Sequence, residues 1–392
     1  MPEPKTGDSS RFALLEDGGA EAHEPRSRCY TEHVRTWVCE DPADLDACWA
    51  RVEADQRAGL HALVLGDYEW GAALQGVSPP PARAPGALRV LMFQQLAFLD
   101  RAGVDAWLEA EEGAEVPAPA GVLEARPSVD EAGFQAALAQ IQEHLRAGDT
   151  YQVNYTLRLD LRTIGSPVAL YRRLRWAQPV PYAAFIHLGG ERHVLSLSPE
   201  LFLRHEAEKD VGRIIARPMK GTAPRGRDAQ EDAQLRHVLA VDPKVRAENV
   251  MIVDLLRNDL GRVARPGSVR VRDLFSVEVH PTLFQLTSTV EADLHPTTGF
   301  PDVLRAAFPC GSVTGAPKRR TLEIIQDLEP RPRGLYCGAL GWVDAPEAPA
   351  RLGPFCLSVG IRTLLMEGRA DRAELGVGAG IVLGSEVQAE HA

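Results

Sequence analysis

The stretch at residues 214–226, IIARPMKGTAPRG, constrains the fold of this chain more than any other. It reads as an apolar strand that ends at Pro218 and opens into a turn, with Lys220 at the break. The neighbouring Gly221 lets backbone N–H groups approach a ligand closely. Burial of a lysine lowers its pKa, which turns the ammonium into a nucleophile. The stretch therefore indicates either a buried reactive lysine or a solvated basic turn.

Composition narrows the class of protein. The chain has 392 residues, 45% hydrophobic and 25% charged, which suffices for one large domain or two to three smaller ones. A net charge of −11 argues against a nucleic-acid partner, because phosphate contacts need a concentrated basic surface. No apolar run reaches transmembrane length, the N-terminus lacks a signal-peptide core, and the six cysteines form no CxxC pair. We therefore expect a cytoplasmic protein with no membrane partner and no structural zinc.

Two domains are predicted, with a boundary in an Ala-, Glu- and Pro-rich segment. Residues 104–126 have the composition of a linker, which divides the chain into regions 1–126 and 127–392. The second region opens with a helix signal, in which Ser128 is the expected N-cap and Gly148 ends the helix. An alternating strand follows over 151–161, and short turns between later strands favour an antiparallel sheet.

A second helix carries carboxylates inside an apolar sequence. Asp242 and the proline after it form an N-cap signal, and the helix body is apolar all round, which predicts burial. Glu248 and Asp254 interrupt it, and a buried carboxylate must be paired or bound to a metal. Ion pairs with Lys244 and Arg257 are one interpretation, and Mg²⁺ held by Glu248 is the other.

Two glycine-rich stretches have the composition of nucleotide-binding loops without their context. In GSVTGAPK (311–318) the spacing differs from GxxxxGK[ST], and Pro317 stands where a glycine should precede Lys318. GVGAG (376–380) leads into a strand instead of a helix. We reject both nucleotide-binding readings and expect the second stretch to be a strand whose backbone approaches a ligand.

Two charged residues stand next to or within strands. Glu200 follows a strand end, 20 residues before Lys220, and by itself it is best read as a surface glutamate. Arg362 lies in an apolar strand and needs an anion, either a substrate carboxylate or an internal Asp or Glu.

Seven stretches, taken in order, resemble the chorismate-binding enzymes, which include anthranilate synthase component I, aminodeoxychorismate synthase component I, and isochorismate and salicylate synthases. They are SLSPELFL (196–203), RPMKGTAPRG (217–226), AENVMIVDLLRNDLGRVARPGSV (247–269), FPCGSVTGAPKRRTLEIIQDLEP (308–330), RGLYCGALGW (333–342), IRT (361–363) and GAGIVL (378–383). The resemblance covers residue 128 to the end and continues weakly towards the N-terminus. It implies an α+β fold with two packed, mainly antiparallel sheets and helices outside.

Among the enzymes that the chain resembles, the residue at the position of Lys220 differs from one type of enzyme to another. Aminodeoxychorismate synthases carry lysine in a P-x-K-G-T motif, whereas anthranilate synthases usually have a small residue there. Isochorismate and salicylate synthases use a lysine near the strand that here reads Tyr151-Gln152-Val153, where this chain has none. The resemblance thus implies an enzyme that aminates chorismate to 4-amino-4-deoxychorismate, towards p-aminobenzoate and folate.

The resemblance also implies residue roles. Lys220 would attack C2 of chorismate while Glu200, as general acid, protonates the departing C4 hydroxyl. Mg²⁺ would bind Glu248 and Glu390, and a separate glutamine amidotransferase subunit would supply ammonia, because the chain has no Cys/His glutaminase motif. The implied substrate-binding residues are Gly221, Thr222, Gln285, Tyr336, Arg362, Gly378, Ala379 and Gly380.

Departures from the family pattern leave alternatives open. Gln285 stands where many members have histidine, and the chain stops at Ala392, one residue short of the second glutamate in a terminal E-x-x-E pair that Glu390 begins. We therefore expect a truncated C-terminal helix and keep two other readings, anthranilate synthase component I and a catalytically impaired scaffold for an amidotransferase. The segment FALLED (12–17) resembles one that shapes a tryptophan pocket in relatives; here the pocket is structural, regulatory or absent.

Overall fold

The fold is built on one antiparallel network of strands. The computed structural model describes residues 5–6, 10–80, 83–207, 212–347, 350–367 and 371–385, and every strand pairing within these ranges is antiparallel. The strands are β1 (Lys5–Thr6), β2 (Phe12–Leu15), β3 (Ser27–Cys39), β4 (His61–Gly66), β5 (Leu88–Leu99), β6 (Gly121–Pro127), β7 (Gln152–Ile164), β8 (Tyr182–His187), β9 (His193–Ser198), β10 (Leu201–Ala207), β11 (Gly212–Arg217), β12 (Met219–Pro224), β13 (Arg270–Val279), β14 (Leu283–Asp293), β15 (Gly315–Ala316), β16 (Ala339–Val343), β17 (Phe355–Val359), β18 (Thr363–Met366) and β19 (Arg372–Ile381).

Strands distant in the pairing order pack against each other as two layers. The order runs β13-β14-β11-β10-β17-β16-β4-β5-β3-β2-β8-β9-β18-β19-β7-β6, with β12 on β14, β15 on β7 and β1 on β3. One buried apolar cluster joins β4, β5 and β16 to β8 and β9; it contains Ala13, Leu15, Tyr30, Leu63, Leu65, Leu91, Phe93, Ala184, Ile186, Val194, Leu335 and Leu340. The predicted α+β fold of mainly antiparallel sheets is confirmed.

The helices flank these sheets. They are α1 (Leu45–Arg57), α2 (Tyr68–Leu74), α3 (Arg101–Glu112), α4 (Glu131–Ala147), α5 (Pro167–Ala177), α6 (Ala229–Val241), α7 (Pro243–Gly261), α8 (Phe300–Ala307) and α9 (Lys318–Leu328). Apolar residues of α1, α4, α7, α8 and α9 enter the largest core cluster together with strand residues on both sides of the predicted domain boundary. None of the described helices is long and apolar enough to span a membrane.

The predicted linker is wrong, because residues 104–126 hold most of α3 and β6. Asp100 caps α3 by accepting from Gly103 N at 2.7 Å, and Gly113 ends it in the left-handed conformation. Val104 and Leu108 are buried, so the Ala- and Glu-rich composition concealed an amphipathic helix. The boundary at 126/127 itself stays a prediction, although β4 pairs with β16 across it.

Two details of the predicted helices also change. The N-cap of α4 is Asp130 and not Ser128, whose hydroxyl accepts from Arg158 N. Asp242 caps α7 as predicted. That helix is not buried all round: its buried residues lie on one face, and the side chain of Asp254 is exposed.

Candidate active site

Lys220 lies in β12, directly after the predicted strand break at Pro218, and not in the turn that the sequence predicted. β11 ends at Arg217, Pro218 interrupts it, and a bulge in β12 follows before Thr222 pairs opposite Gln285 of β14. Lys220 is half-buried, and its Nζ atom donates to the main-chain carbonyl of Ser312 at 3.2 Å. The bulge places the lysine inside the molecule.

Gly221 is required by packing inside the protein. Its φ is +81°, and a Cβ there would lie 2.3 Å from Cγ1 of Val245 on α7. The predicted reason for this glycine, close approach of a ligand to the backbone, is therefore not needed to explain it, and its substrate-binding role stays a prediction. Thr222, one residue on, is exposed.

Glu200 lies between β9 and β10, and the surface reading of this residue is wrong. It is 3% exposed, and burial raises its pKa to about 7. The Ser312 side chain, the charge of Lys220 and the main chain at Met219 oppose that rise. Its Oε1 atom has no hydrogen-bond partner among the described residues. A carboxyl group in this state can hold a proton near neutral pH and donate it.

Ser312 lies beside both Lys220 and Glu200, and it was not among the predicted site residues. Its carbonyl accepts from Lys220, and its side chain lowers the pKa of the neighbouring Glu200 carboxyl group. The thiol of Cys310 lies 3.2 Å from the Ser312 hydroxyl. The only signal for Ser312 in the sequence is a hydroxyl residue in the glycine-flanked stretch 311–318, whose composition resembles a phosphate-binding loop.

The glycine strand β19 forms a second wall beside Lys220. A Cβ on Gly380 would lie 3.5 Å from Lys220 Nζ and 3.2 Å from Gln152 Nε2, although β12 and β19 are far apart in the strand order. Gln152 is fully buried, and both its amide atoms lack partners in the described part of the chain. Gln152 was not among the predicted site residues, because only the absence of a lysine at residues 151–153 carried information in the sequence.

A further unsatisfied polar atom lies on β14, in the residue that pairs with Thr222. Gln285 is buried in β14, and its Oε1 atom has no hydrogen-bond partner within the described ranges. Buried amides and carboxyls without partners are costly, so several of them near one lysine indicate a site built for a polar ligand.

Tyr336 lies in the loop before β16. Arg362 lies in the loop between β17 and β18, so its predicted position in a strand is wrong. Tyr336 is buried against Gly376, where a Cβ would lie 2.2 Å from the ring, and the Arg158 guanidinium lies 4.7 Å from the ring centroid. Arg362 has φ +50°, and no Asp or Glu pairs with it among the described residues. Burial lowers the pKa of Arg362, so a ligand anion would stabilise it. Its carbonyl accepts from Leu197 N, two residues before the Pro199-Glu200 turn begins.

The profile of the chorismate binding enzyme family matches residues 56–392. The chain belongs to the chorismate-binding enzymes. This chorismate-binding enzyme is 45% identical over 289 residues to aminodeoxychorismate synthase component 1 of Klebsiella aerogenes, covering 73% of this chain and 60% of the relative. It is 43% identical over 279 residues to anthranilate synthase component 1 of Streptomyces coelicolor, covering 71% and 52%. The chain thus spans between about half and three fifths of the length of these relatives.

Solved structures agree with the fold of this chorismate-binding enzyme. Anthranilate synthase component I of Streptococcus pneumoniae superimposes with a TM-score of 0.67 at 27% identity, covering 84% of this chain and 77% of that one. The menaquinone-specific isochorismate synthase of Escherichia coli gives 0.70 at 17% identity, covering 97% and 85%. The second likeness concerns the fold alone.

The predicted metal ligands of this chorismate-binding enzyme are only partly described. Glu248 is half-buried on α7, beside Asn249, whose Oδ1 accepts from Ser288 of β14 at 2.6 Å. Asp254 forms an exposed ion pair with Arg257, as one interpretation held. Glu390 lies outside the described residues, and within them no three His, Cys, Asp or Glu side chains converge on a metal position. The Mg²⁺ site stays a prediction.

The segment at residues 12–17, which resembles a tryptophan-pocket sequence, makes side-chain hydrogen bonds to helix α5. Glu16 accepts from the Tyr171 hydroxyl at 2.5 Å and from Arg175 at 2.7 Å. The role of this segment in ligand binding stays a prediction.

Proposed function

We propose that this enzyme converts chorismate and ammonia into 4-amino-4-deoxychorismate. The observation that carries the proposal is the meeting of Lys220 and Glu200 at Ser312, beside the glycine strand β19. The lysine belongs to the P-x-K-G-T motif of the amination branch, and the similarity to aminodeoxychorismate synthase component 1 of Klebsiella aerogenes supports the same reaction.

Two displacements account for the reaction. The free amine of Lys220 attacks C2 of chorismate, the ring double bonds shift, and the C4 hydroxyl leaves as water with the proton of Glu200. Ammonia then forms a bond to C4, the double bonds shift back, and the C2–N bond to Lys220 breaks. Glu200 takes up the proton that the incoming ammonia loses. A hydroxide is a poor leaving group, so this proton is worth roughly 10²–10⁴ in rate.

Residues around Lys220 and Glu200 would orient the substrate. Arg362 and Tyr336 would hold the enolpyruvyl carboxylate, because Arg362 is half-buried and pairs with no carboxylate of the described residues. The backbone of Gly378, Ala379 and Gly380 would contact the same part of the substrate. Three residues of β12 and β14 would contact chorismate on the opposite side from β19: Gly221, Thr222 and Gln285.

Glu248 and Glu390 would hold Mg²⁺. A half-buried carboxylate on α7 fits this role, because Mg²⁺ takes one or two carboxylates and completes its shell with water and substrate oxygens. When bound, the ion would neutralise the ring carboxylate of chorismate. Ammonia would come from a glutamine amidotransferase partner, in the cytoplasm, where the six free cysteines would stay reduced.

Anthranilate synthesis is the second candidate, because the Streptomyces coelicolor relative is nearly as similar. It would eliminate pyruvate as well as adding ammonia. The protein is incubated with chorismate, Mg²⁺ and ammonium at mildly alkaline pH, with Lys220→Ala in parallel, and products are identified by mass and absorbance. Formation of aminodeoxychorismate by the wild type but not by Lys220→Ala supports the proposal. Anthranilate with pyruvate favours the second candidate, and chorismate binding without product favours a scaffold.

A further inference from the structure

Arg333 and Glu329 form a buried ion pair just after α9. Arg333 donates from Nε to Glu329 Oε2 at 2.9 Å and from Nη2 to Oε1 at 2.6 Å. The two residues are 1% and 3% exposed. A two-point contact fixes the plane of the guanidinium as well as its position. Neither residue has a part in the chemistry proposed above.

The remaining hydrogen bonds of this pair reach two other chain segments. Arg333 donates from Nη1 to Val313 O at 2.7 Å and from Nη2 to Asn154 O at 2.6 Å. Glu329 Oε1 accepts from Thr156 N at 2.8 Å. The pair therefore ties the turn at residues 311–313 to strand β7 through main-chain atoms.

Both of these segments are walls of the active site. Val313 follows Ser312, whose carbonyl holds Lys220. Asn154 pairs with Gly380 across β7 and β19. We propose that Arg333, oriented by Glu329, is a positioning residue that holds the Ser312 turn against β7 and thereby sets the place of Lys220 relative to β19. The catalytic consequence rests on the function proposed above.

A lysine cannot replace Arg333 in this arrangement. Its ammonium is a point charge, whereas the guanidinium spans a carboxylate and two carbonyls in one plane. With one of the carbonyls left unbonded in a buried place, the turn and the strand would shift relative to each other. A displacement of about 1 Å at reacting groups costs about 100-fold in rate.

The test compares Arg333→Lys with Arg331→Lys. Arg331 lies two residues away, half-exposed, and pairs with Asp160 and Glu374, so the same chemical change there is a matched control. We expect kcat to fall about 100-fold in Arg333→Lys, with KM for chorismate little changed, because chorismate contacts are not removed. Arg331→Lys should keep the wild-type kcat. Glu329→Gln should resemble Arg333→Lys.

A second measurement needs no turnover. Lysine acetylation followed by mass spectrometry gives the labelling rate of Lys220, with Lys244 on α7 as internal reference. The Lys220 rate should change several-fold in Arg333→Lys and in Glu329→Gln, but not in Arg331→Lys. If folded Arg333→Lys keeps both the wild-type kcat and the wild-type labelling, the pair is only structural and the proposal is overturned. If the wild type makes no product but the labelling differs, the proposed function fails while the positioning role stands.

Discussion

Lys220 donates from Nζ to the main-chain carbonyl of Ser312 over 3.2 Å. The side chain of the same serine lowers the pKa of Glu200, so one residue of a glycine-flanked turn lies beside both the proposed nucleophile and the proposed general acid. Because a main-chain atom holds the lysine, its position depends on the path of the turn and not on the identity of residue 312. The effect on Glu200, in contrast, depends on that side chain.

Glu200 should impose an alkaline limit on activity. Burial raises its pKa to about 7, so the protonated acid is lost as the pH rises through about 7. At a fixed concentration of free ammonia, wild-type kcat should therefore fall above that pH. In Glu200→Gln, kcat should be about 10²–10⁴-fold lower than in the wild type and should not fall as the pH rises above 7. A wild-type profile that stays flat from pH 6 to 9 would contradict the acid role.

The same substitution should stabilise the protein at alkaline pH. The folded-state pKa of about 7 exceeds the ordinary value of 4.5, so wild-type stability is lost as the pH rises between these values and is then constant. Glu200→Gln should gain about 3 kcal/mol relative to wild type at pH 8.5 and almost none at pH 4.5. Urea unfolding at both pH values measures the difference, and an equal gain at both would refute the linkage.

Gln152→Met should raise stability and lower activity. Its two amide atoms are buried without partners in the described ranges, and an unsatisfied buried polar group costs about 1–3 kcal/mol. The unfolding free energy should rise by a similar amount, while kcat falls because Gln152 lies beside Gly380 and Lys220. The control is Gln142→Met, which removes a bond to Ser385 O and should not stabilise. Loss of stability in Gln152→Met would point to a structural amide.

Glu248→Gln should weaken the binding of Mg²⁺. Removing one carboxylate from the proposed site should raise the Mg²⁺ concentration for half-maximal activity by at least about 10-fold. Asp254→Asn makes the matched change on the same helix at an exposed ion pair and should leave it unchanged. Calorimetric titration of Mg²⁺ gives the same comparison without turnover. Equal Mg²⁺ requirements in wild type and Glu248→Gln would show that Glu248 does not bind Mg²⁺.

Lys318→Met should destabilise the fold. Lys318 donates to Asp259 at 2.6 Å and to Ala307 O at 2.8 Å in a buried place, which explains this lysine without a phosphate. Leaving Asp259 unpaired should cost about 3–5 kcal/mol in urea unfolding. Arg257→Met, which breaks an exposed pair, should cost less than about 1 kcal/mol. Similar losses in both variants would show that the burial of Lys318 contributes little.

Local features of this protein could be read from sequence because they depend on neighbouring residues. The strand break before Lys220 and the Asp242 cap of α7 follow from backbone geometry over a few positions. The position of β7 was predicted correctly, but its half-buried alternation was not, because Gln152, Asn154 and Thr156 on the predicted polar face are also buried. The prediction of a linker at residues 104–126 was wrong because it used the average composition of the segment, which hides the helical periodicity of α3.

The sequence by itself determined the residue types of the site, the antiparallel class of the sheets and, through its motifs, the family. Only the tertiary structure decided that Glu200 is buried, that Ser312 lies beside both it and Lys220, and that Gln152 and Gly380 lie beside them. Arg333 likewise connects Asn154, 179 residues away, to the Ser312 turn. Burial and hydrogen bonding between such distant segments depend on how whole sheets pack, and no short window of sequence contains that information.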